Sequence, residues 1–197
     1  MKKKELEIAL QKVRGFEDPD PSLEQYATPA TIAADVIFSA YSAGDIAGLK
    51  VADLGCGTGM LSIGASLAGA GSVKGFDISG KALEIARRNA LELGCCIEFE
   101  EKDILSVDEP ADTVIMNPPF GCQNRNADRP FLKKAMELSD CVYSFHMENS
   151  LEFVTGFCRR EGREAALCKT YKYEIPHTFA FHKKAKQTVD VAVVVIR

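Results

Sequence analysis

No two of the seven cysteines (Cys56, Cys95, Cys96, Cys122, Cys141, Cys158 and Cys168) stand in a C-x-x-C spacing, and their number is odd. This argues against a zinc site or a disulfide framework and predicts reduced, mostly buried thiols in a cytoplasmic protein. No apolar run approaches the span of a membrane helix, so no membrane association is expected. The start, Met1-Lys2-Lys3-Lys4-Glu5, lacks the apolar stretch of a signal peptide. Histidine is scarce, and His177 and His182 have no convergent partners in the sequence, so no metal is expected. Internal repeats and low-complexity tracts are also missing. The chain lacks any overall excess of positive charge: a net charge of −4 does not advertise a nucleic-acid partner.

What is present suits one domain with a sizeable core: 197 residues, 46% of them hydrophobic and 26% charged. The charge is unevenly placed. From Arg159 to Arg197, nine basic residues face four acidic ones, leaving +5 there and −9 on the preceding 158 residues. Tyr171, Tyr173, Phe179 and Phe181 interleave with those cations. Phosphates and stacked bases would need such a surface, and a solvated sheet edge would look the same.

Apolar periodicity predicts helices over about 3–15 and 29–41, the second capped by Thr28 with Pro29 at its first position. These belong to an N-terminal extension, 1–49, packed on a core of 50–197. In the core, strands are expected at 51–54, 72–76, 97–100, 113–116, 141–145, 164–173 and 188–196. Helices are expected at 60–70, 80–94, 129–139 and 149–161. The alternation, with one late Val-rich strand, predicts an α/β fold. Its sheet is seven-stranded and mostly parallel, with helices on both faces and an antiparallel insertion near the end.

Asn117-Pro118-Pro119-Phe120 follows the buried run 112–116, and so sits where a parallel strand ends. In open α/β sheets that rim binds ligands. The prolines have fixed φ and no N–H, which stiffens the turn. The Asn amide oxygen and a backbone carbonyl supply two acceptors for a primary amino group, and Phe120 adds an apolar face. The tetrapeptide reads as a clamp for the NH2 group of a planar substrate. Asp53-Leu54-Gly55-Cys56-Gly57-Thr58-Gly59 follows the first predicted strand. Its glycines allow a tight turn and close ligand approach, while the G-x-G-x-G spacing does not centre a pyrophosphate on the helix end. Asp77, with Ile78 after it, closes the second strand, where an acid can accept both ribose hydroxyls. Asp103 follows the third and can accept from an adenine amino group. Three acids at successive strand ends suit an adenosine ligand without phosphates.

In that order, these motifs resemble the class I, Rossmann-like S-adenosylmethionine-dependent methyltransferases, specifically the amino-group methylases. Gln25-Tyr26-x-Thr28-Pro29 ahead of the glycine loop and Val142-Tyr143-Ser144-Phe145-His146 at the fifth strand resemble, more narrowly, the methyltransferase-like-five family. Those enzymes methylate adenine N6 in small-subunit ribosomal RNA. One departure is Met147, where a lysine would be expected in close relatives. The resemblance implies that Asn117 and the Pro118 carbonyl hold the amino group, with Pro119 and Phe120 completing the catalytic corner. It implies that Phe120 stacks on the base, with Phe145 or His146 on its other face. Gln25, Tyr26 and Thr28 would hold the methionine end of the cofactor, with Asp53, Gly55, Gly57, Gly59, Asp77, Ile78, Asp103 and Asn117 around the rest. It also implies RNA as partner and a small zinc-binding activator of the Trm-one-one-two type along a sheet edge.

Glutamine-N5 methylation of a release factor is the alternative, since a carboxamide NH2 suits the same clamp. Such enzymes usually carry Tyr in place of Phe120 and more chain than the 49 residues ahead of the core. Duplex DNA is disfavoured because little chain remains for a target-recognition domain. A non-catalytic cofactor-binding module would have no use for the stiff corner.

Overall fold

In the computed structural model, which describes residues 2–120, 127–176 and 186–197, two helices come first: α1 (Lys3–Leu10) and α2 (Ala30–Ala43). Strand and helix then alternate through β1 (Lys50–Leu54), α3 (Met60–Leu67), β2 (Ser72–Asp77), α4 (Gly80–Glu92) and β3 (Glu98–Glu101). The chain continues with β4 (Thr113–Met116), α5 (Asp128–Leu138), β5 (Val142–Met147), α6 (Leu151–Arg160), β6 (Ala165–Pro176) and β7 (Lys186–Ile196). The sheet order is β3-β2-β1-β4-β5-β7-β6. β1 to β5 run parallel, and β7 is antiparallel to both of its neighbours. The expected seven-stranded, mostly parallel sheet is therefore present.

Period-two alternation assigns each strand's residues to one of two cores. Val51, Ile115, Tyr143, Phe145, Val191 and Val193 pack in one with residues of α1, α2, α3 and α4. Ala52, Leu54, Val114, Met116, Val142, Val194 and Ile196 pack in the other with α5 and α6. Covering both faces explains why the central strands read as continuous apolar runs. From β1 the crossovers proceed outward to β2 and β3; from β4 they proceed the other way to β5. The loops after β1 and β4 therefore part at the carboxyl ends of adjacent strands, opening a crevice at the switch point.

Several predicted boundaries move. α1 ends at Leu10, not near residue 15, because the chain tightens through Lys12 N–H to Ala9 O and Val13 N–H to Leu10 O. It then lies across α4, where buried Asn89 accepts from the Arg14 N–H at 3.0 Å and donates to the Arg14 and Thr58 carbonyls. Thr28 is not the cap of α2. Pro29 stands there (φ −59°, ψ 137°), its carbonyl accepting from Ile32 and Ala33, and the Thr28 hydroxyl turns to β4 instead. β6 and β7 are longer at their paired ends than predicted. Of the described cysteines, Cys56, Cys141 and Cys158 are buried, but Cys96 and Cys168 are exposed, correcting the expectation of mostly buried thiols. Cys168 lies where the β6–β7 register shifts between Leu167 and Lys169, a bulge that turns one residue out of the pairing. Cys122, His177, Phe179, Phe181, His182, Lys183 and Lys184 lie outside the described residues.

Candidate active site

The loop after β1 is tied to β2 before it reaches α3. The N–H groups of Gly55 and Cys56 donate to the Phe76 carbonyl at 2.8 and 3.0 Å, and Gly57 N–H donates to Asp77 Oδ2 at 2.7 Å. Gly57 has φ +54°, and a Cβ there would stand 2.9 Å from the Phe16 ring, so both conformation and space require glycine. Asp77 Oδ1 accepts from the Ser79 N–H at 2.8 Å. Asp77 is thus the carboxylate that organises the glycine loop, with lone pairs left for hydroxyl donors. Burial raises its pKa, opposed by those N–H donors.

Asp53 plays a different part. Its Oδ2 accepts from the Ser62 hydroxyl of α3 at 2.5 Å, while its Oδ1 is buried without a partner. Burial pushes the carboxyl up to about 7, the Ser62 hydrogen bond opposing and the charge of Asp77 reinforcing the rise. An ionised carboxylate held out of water with a vacant lone pair favours a cationic ligand.

At the end of β4, the Asn117 Nδ2 donates to the Thr28 hydroxyl at 3.0 Å, and its Oδ1 is buried with no partner. Pro118 is buried and Pro119 half-buried. The half-buried Phe120 ring meets Tyr173 of β6 edge-on, centroids 6.1 Å apart. Tyr173 is fully buried and its hydroxyl donates to the Ala27 carbonyl at 3.0 Å.

A cavity of about 260 Å³ opens in the crevice. Gln25, Tyr26, Thr28, Asp53, Gly55, Gly57, Asp77, Ile78, Asp103, Asn117 and Pro119 line it. Gln25 acts on its own loop, Oε1 accepting from the Asp20 N–H. Asp103 accepts from the Leu105 N–H, and Ile78 is 59% exposed at the rim. Gly59, Pro118 and Phe120 do not line the cavity; buried Gly59 instead takes φ +87° to start α3. Phe145 and His146 depart from expectation most. Both lie within β5, between β4 and β7, and are 1% exposed, so neither can flank a base. His146 Nε2 bonds the Ser144 hydroxyl at 2.7 Å, and its Nδ1 lies 3.4 Å from Asp128 Oδ2. That Ser-His-Asp order resembles a hydrolytic triad, but Ser144 has no exposed surface and lines no described cavity. It fastens the start of α5 to β5. Sequence reasoning missed Phe16, Leu23, Lys102 and Phe131 in the lining, and Asn89, which anchors the segment carrying Phe16. Leu23 and Phe16 come from an aperiodic loop; only the break after α1 marks it.

The lining tests the fit of S-adenosylmethionine. Four acids (Glu24, Asp53, Asp77 and Asp103) and backbone amides line the cavity, with Lys102 its single cation among the described residues. Lys102 is already ion-paired to Glu100 and Asp108. Such a donor set disfavours a pyrophosphate and suits a nucleoside with a cationic amino-acid end, which the orphaned Asp53 oxygen matches.

Known proteins agree with this arrangement. A family model described as the methyltransferase small domain matches residues 33–139. The rRNA N(6)-adenosine-methyltransferase METTL5 of Danio rerio is 39% identical, the match covering 100% of this chain and 98% of that protein. Its Drosophila melanogaster namesake is 36% identical over 97% of this chain and 94% of its own length. A solved structure from Pyrococcus horikoshii superposes with a TM-score of 0.93 at 42% identity, covering 100% and 97% of the two chains. The chain therefore belongs to the methyltransferase small domain family, is homologous throughout to the METTL5-type enzymes, and uses S-adenosylmethionine as its cofactor.

Proposed function

We propose that this methyltransferase modifies the N6 amino group of an adenine in structured RNA, and that the RNA belongs to the small ribosomal subunit. The observation that carries the proposal is the buried, unpartnered Asn117 Oδ1 at the end of β4, in the lining of the cofactor cavity. The full-length likeness to proteins named for rRNA N6-adenosine methylation supports the substrate class.

Bound S-adenosylmethionine supplies an electrophilic methyl carbon. The chain's own task is alignment, because an adenine amino nitrogen is a weak nucleophile whose lone pair is delocalised into the ring. Asn117 Oδ1 and the Pro118 carbonyl accept its two N–H bonds and favour a pyramidal nitrogen as the new bond forms. That interaction is stronger in the transition state than in the ground state. Pro118 and Pro119 keep the corner stiff, and Phe120 stacks on a base that is unpaired or flipped out. No general base is needed, since the proton leaves to water afterwards. Gln25, Tyr26 and Asp53 serve the methionine end, Asp77 the ribose, Ile78 and Asp103 the adenine, and the backbone of Gly55 and Gly57 leaves room for it.

In this account residues 1–49 form a helical cover on the catalytic core, 50–197. The enzyme works in the cytoplasm, with a small zinc-binding activator of the Trm-one-one-two type on a sheet edge. Incubation with labelled cofactor, total RNA and release factors tests the substrate. N6-methyladenosine in the digested RNA is the expected product, and label on a release-factor glutamine would replace the adenine by the carboxamide alternative.

A further inference from the structure

A primary carboxamide has two ends of opposite character, and only one of them can grip an amino group. If the Asn117 amide were rotated by half a turn about its last bond, it would present N–H donors to the N–H donors of the substrate. Barriers to such rotation are set by surroundings, so the orientation must come from a partner on the nitrogen side. The structure holds one: Asn117 Nδ2 donates to Thr28 Oγ1 at 3.0 Å, and Thr28 is buried.

Thr28 lies in a connecting segment between a 3-10 turn and α2, and needs support of its own. Its neighbour Ala27 is exposed, yet the Ala27 carbonyl accepts from the Tyr173 hydroxyl at 3.0 Å. Tyr173 is 0% exposed, is carried by β6 and is paired in register with Val189 of β7. The same ring takes the edge of Phe120, two residues beyond Pro118. Burial holds the Tyr173 phenol up at about 12, so it remains a donor throughout the physiological range. Tyr173, the Ala27 carbonyl, the Thr28 hydroxyl and the Asn117 amide thus form one chain of contacts from the antiparallel end of the sheet to the β4 corner.

We infer that Thr28 and Tyr173 are positioning residues for methyl transfer: they fix the Asn117 carboxamide with its nitrogen turned away and its oxygen presented to the substrate amino group. Thr28 thereby spends its hydroxyl on Asn117 and not on the cofactor. The inference rests on the proposed role of Asn117 as acceptor, and it holds equally for an adenine or a glutamine substrate.

The test uses Thr28→Val, Thr28→Ser and Tyr173→Phe, assayed with tritiated cofactor on small-subunit ribosomal RNA transcribed in vitro. Thr28→Val lowers kcat by roughly tenfold to a hundredfold, the scale of losing one transition-state hydrogen bond, with KM and the calorimetric cofactor Kd changed only a few-fold. Thr28→Ser keeps most of kcat, and Tyr173→Phe falls between them. Asn117→Asp separates orientation from folding, because a carboxylate presents oxygen at both ends: in that background Thr28→Val costs little more. The free protein gives a second readout that needs no turnover. One Asn117 side-chain amide proton is protected from solvent exchange by NMR, and Thr28→Val removes that protection. An unchanged kcat in Thr28→Val, an equal loss in the Asn117→Asp background, or an amide proton that stays protected would overturn the latch. Activity surviving in Asn117→Ala would instead overturn the acceptor role on which the latch depends.

Discussion

At the residue scale, Asn117 and Asp53 each hold one buried side-chain oxygen without a hydrogen-bond partner. Asn117→Ala reduces turnover to background while the cofactor Kd stays within a few-fold; wholesale loss of cofactor binding would make the residue structural. Asp53 gives a pH signature. An unfolded aspartate titrates near 3.8, and the buried carboxyl titrates at about 7. The folded chain therefore holds a proton that the unfolded chain has released, so this group favours folding most below about pH 4. Its contribution declines as pH rises towards 7 and is constant above that. A cationic ligand favours the carboxylate, so cofactor affinity strengthens by roughly tenfold from about pH 6 to about pH 8. Asp53→Asn binds more weakly and flattens that slope; calorimetric titration across pH checks it, and a slope that survives belongs to another group. Asp53, Asp77, Asp103 and the diproline corner were legible because strand ends and turn residues carry local signals. The burial of Phe145 and His146 was not, because it depends on β7 returning to pair with β5, a long-range event that no local pattern announces.

At the element scale, the glycine loop depends on contacts from three directions: β2 through Phe76 and Asp77, α4 through Asn89, and the Phe16 ring above. Gly57→Ala combines a left-handed φ of +54° with a Cβ 2.9 Å from that ring. A loss of roughly 1–3 kcal/mol in stability is expected, with a proportionally larger fall in cofactor affinity because the loop faces the ligand. Thermal unfolding with and without cofactor measures both, and wild-type affinity would show that the loop does not approach the ligand closely. Strand positions were readable from short apolar runs, but their ends and the start of α2 were not. Thr28 illustrates the reason: Thr before Pro is a helix-start signal, and a hydrogen bond to a residue 89 positions away outcompeted it.

At the scale of the whole molecule, the sheet order places loops from β1, β2, β3 and β4 around one cavity, and α1 and α2 join the core that covers one sheet face. Leu10→Ala in α1 therefore costs about 2–5 kcal/mol in denaturant unfolding with little change in cofactor affinity; a negligible cost would make the first helix an appendage. Strand-helix alternation made the fold class legible, whereas the convergence of Phe16 and residues 22–28 on the cavity, braced by Asn89 and Tyr173 from outside it, required the folded chain. Most direct is a crystal structure with S-adenosylhomocysteine and adenosine monophosphate bound together. The adenine amino nitrogen is expected about 3 Å from Asn117 Oδ1, on the side facing the cofactor sulfur. An adenine seated elsewhere, with Asn117 Oδ1 turned from it, would contradict the account.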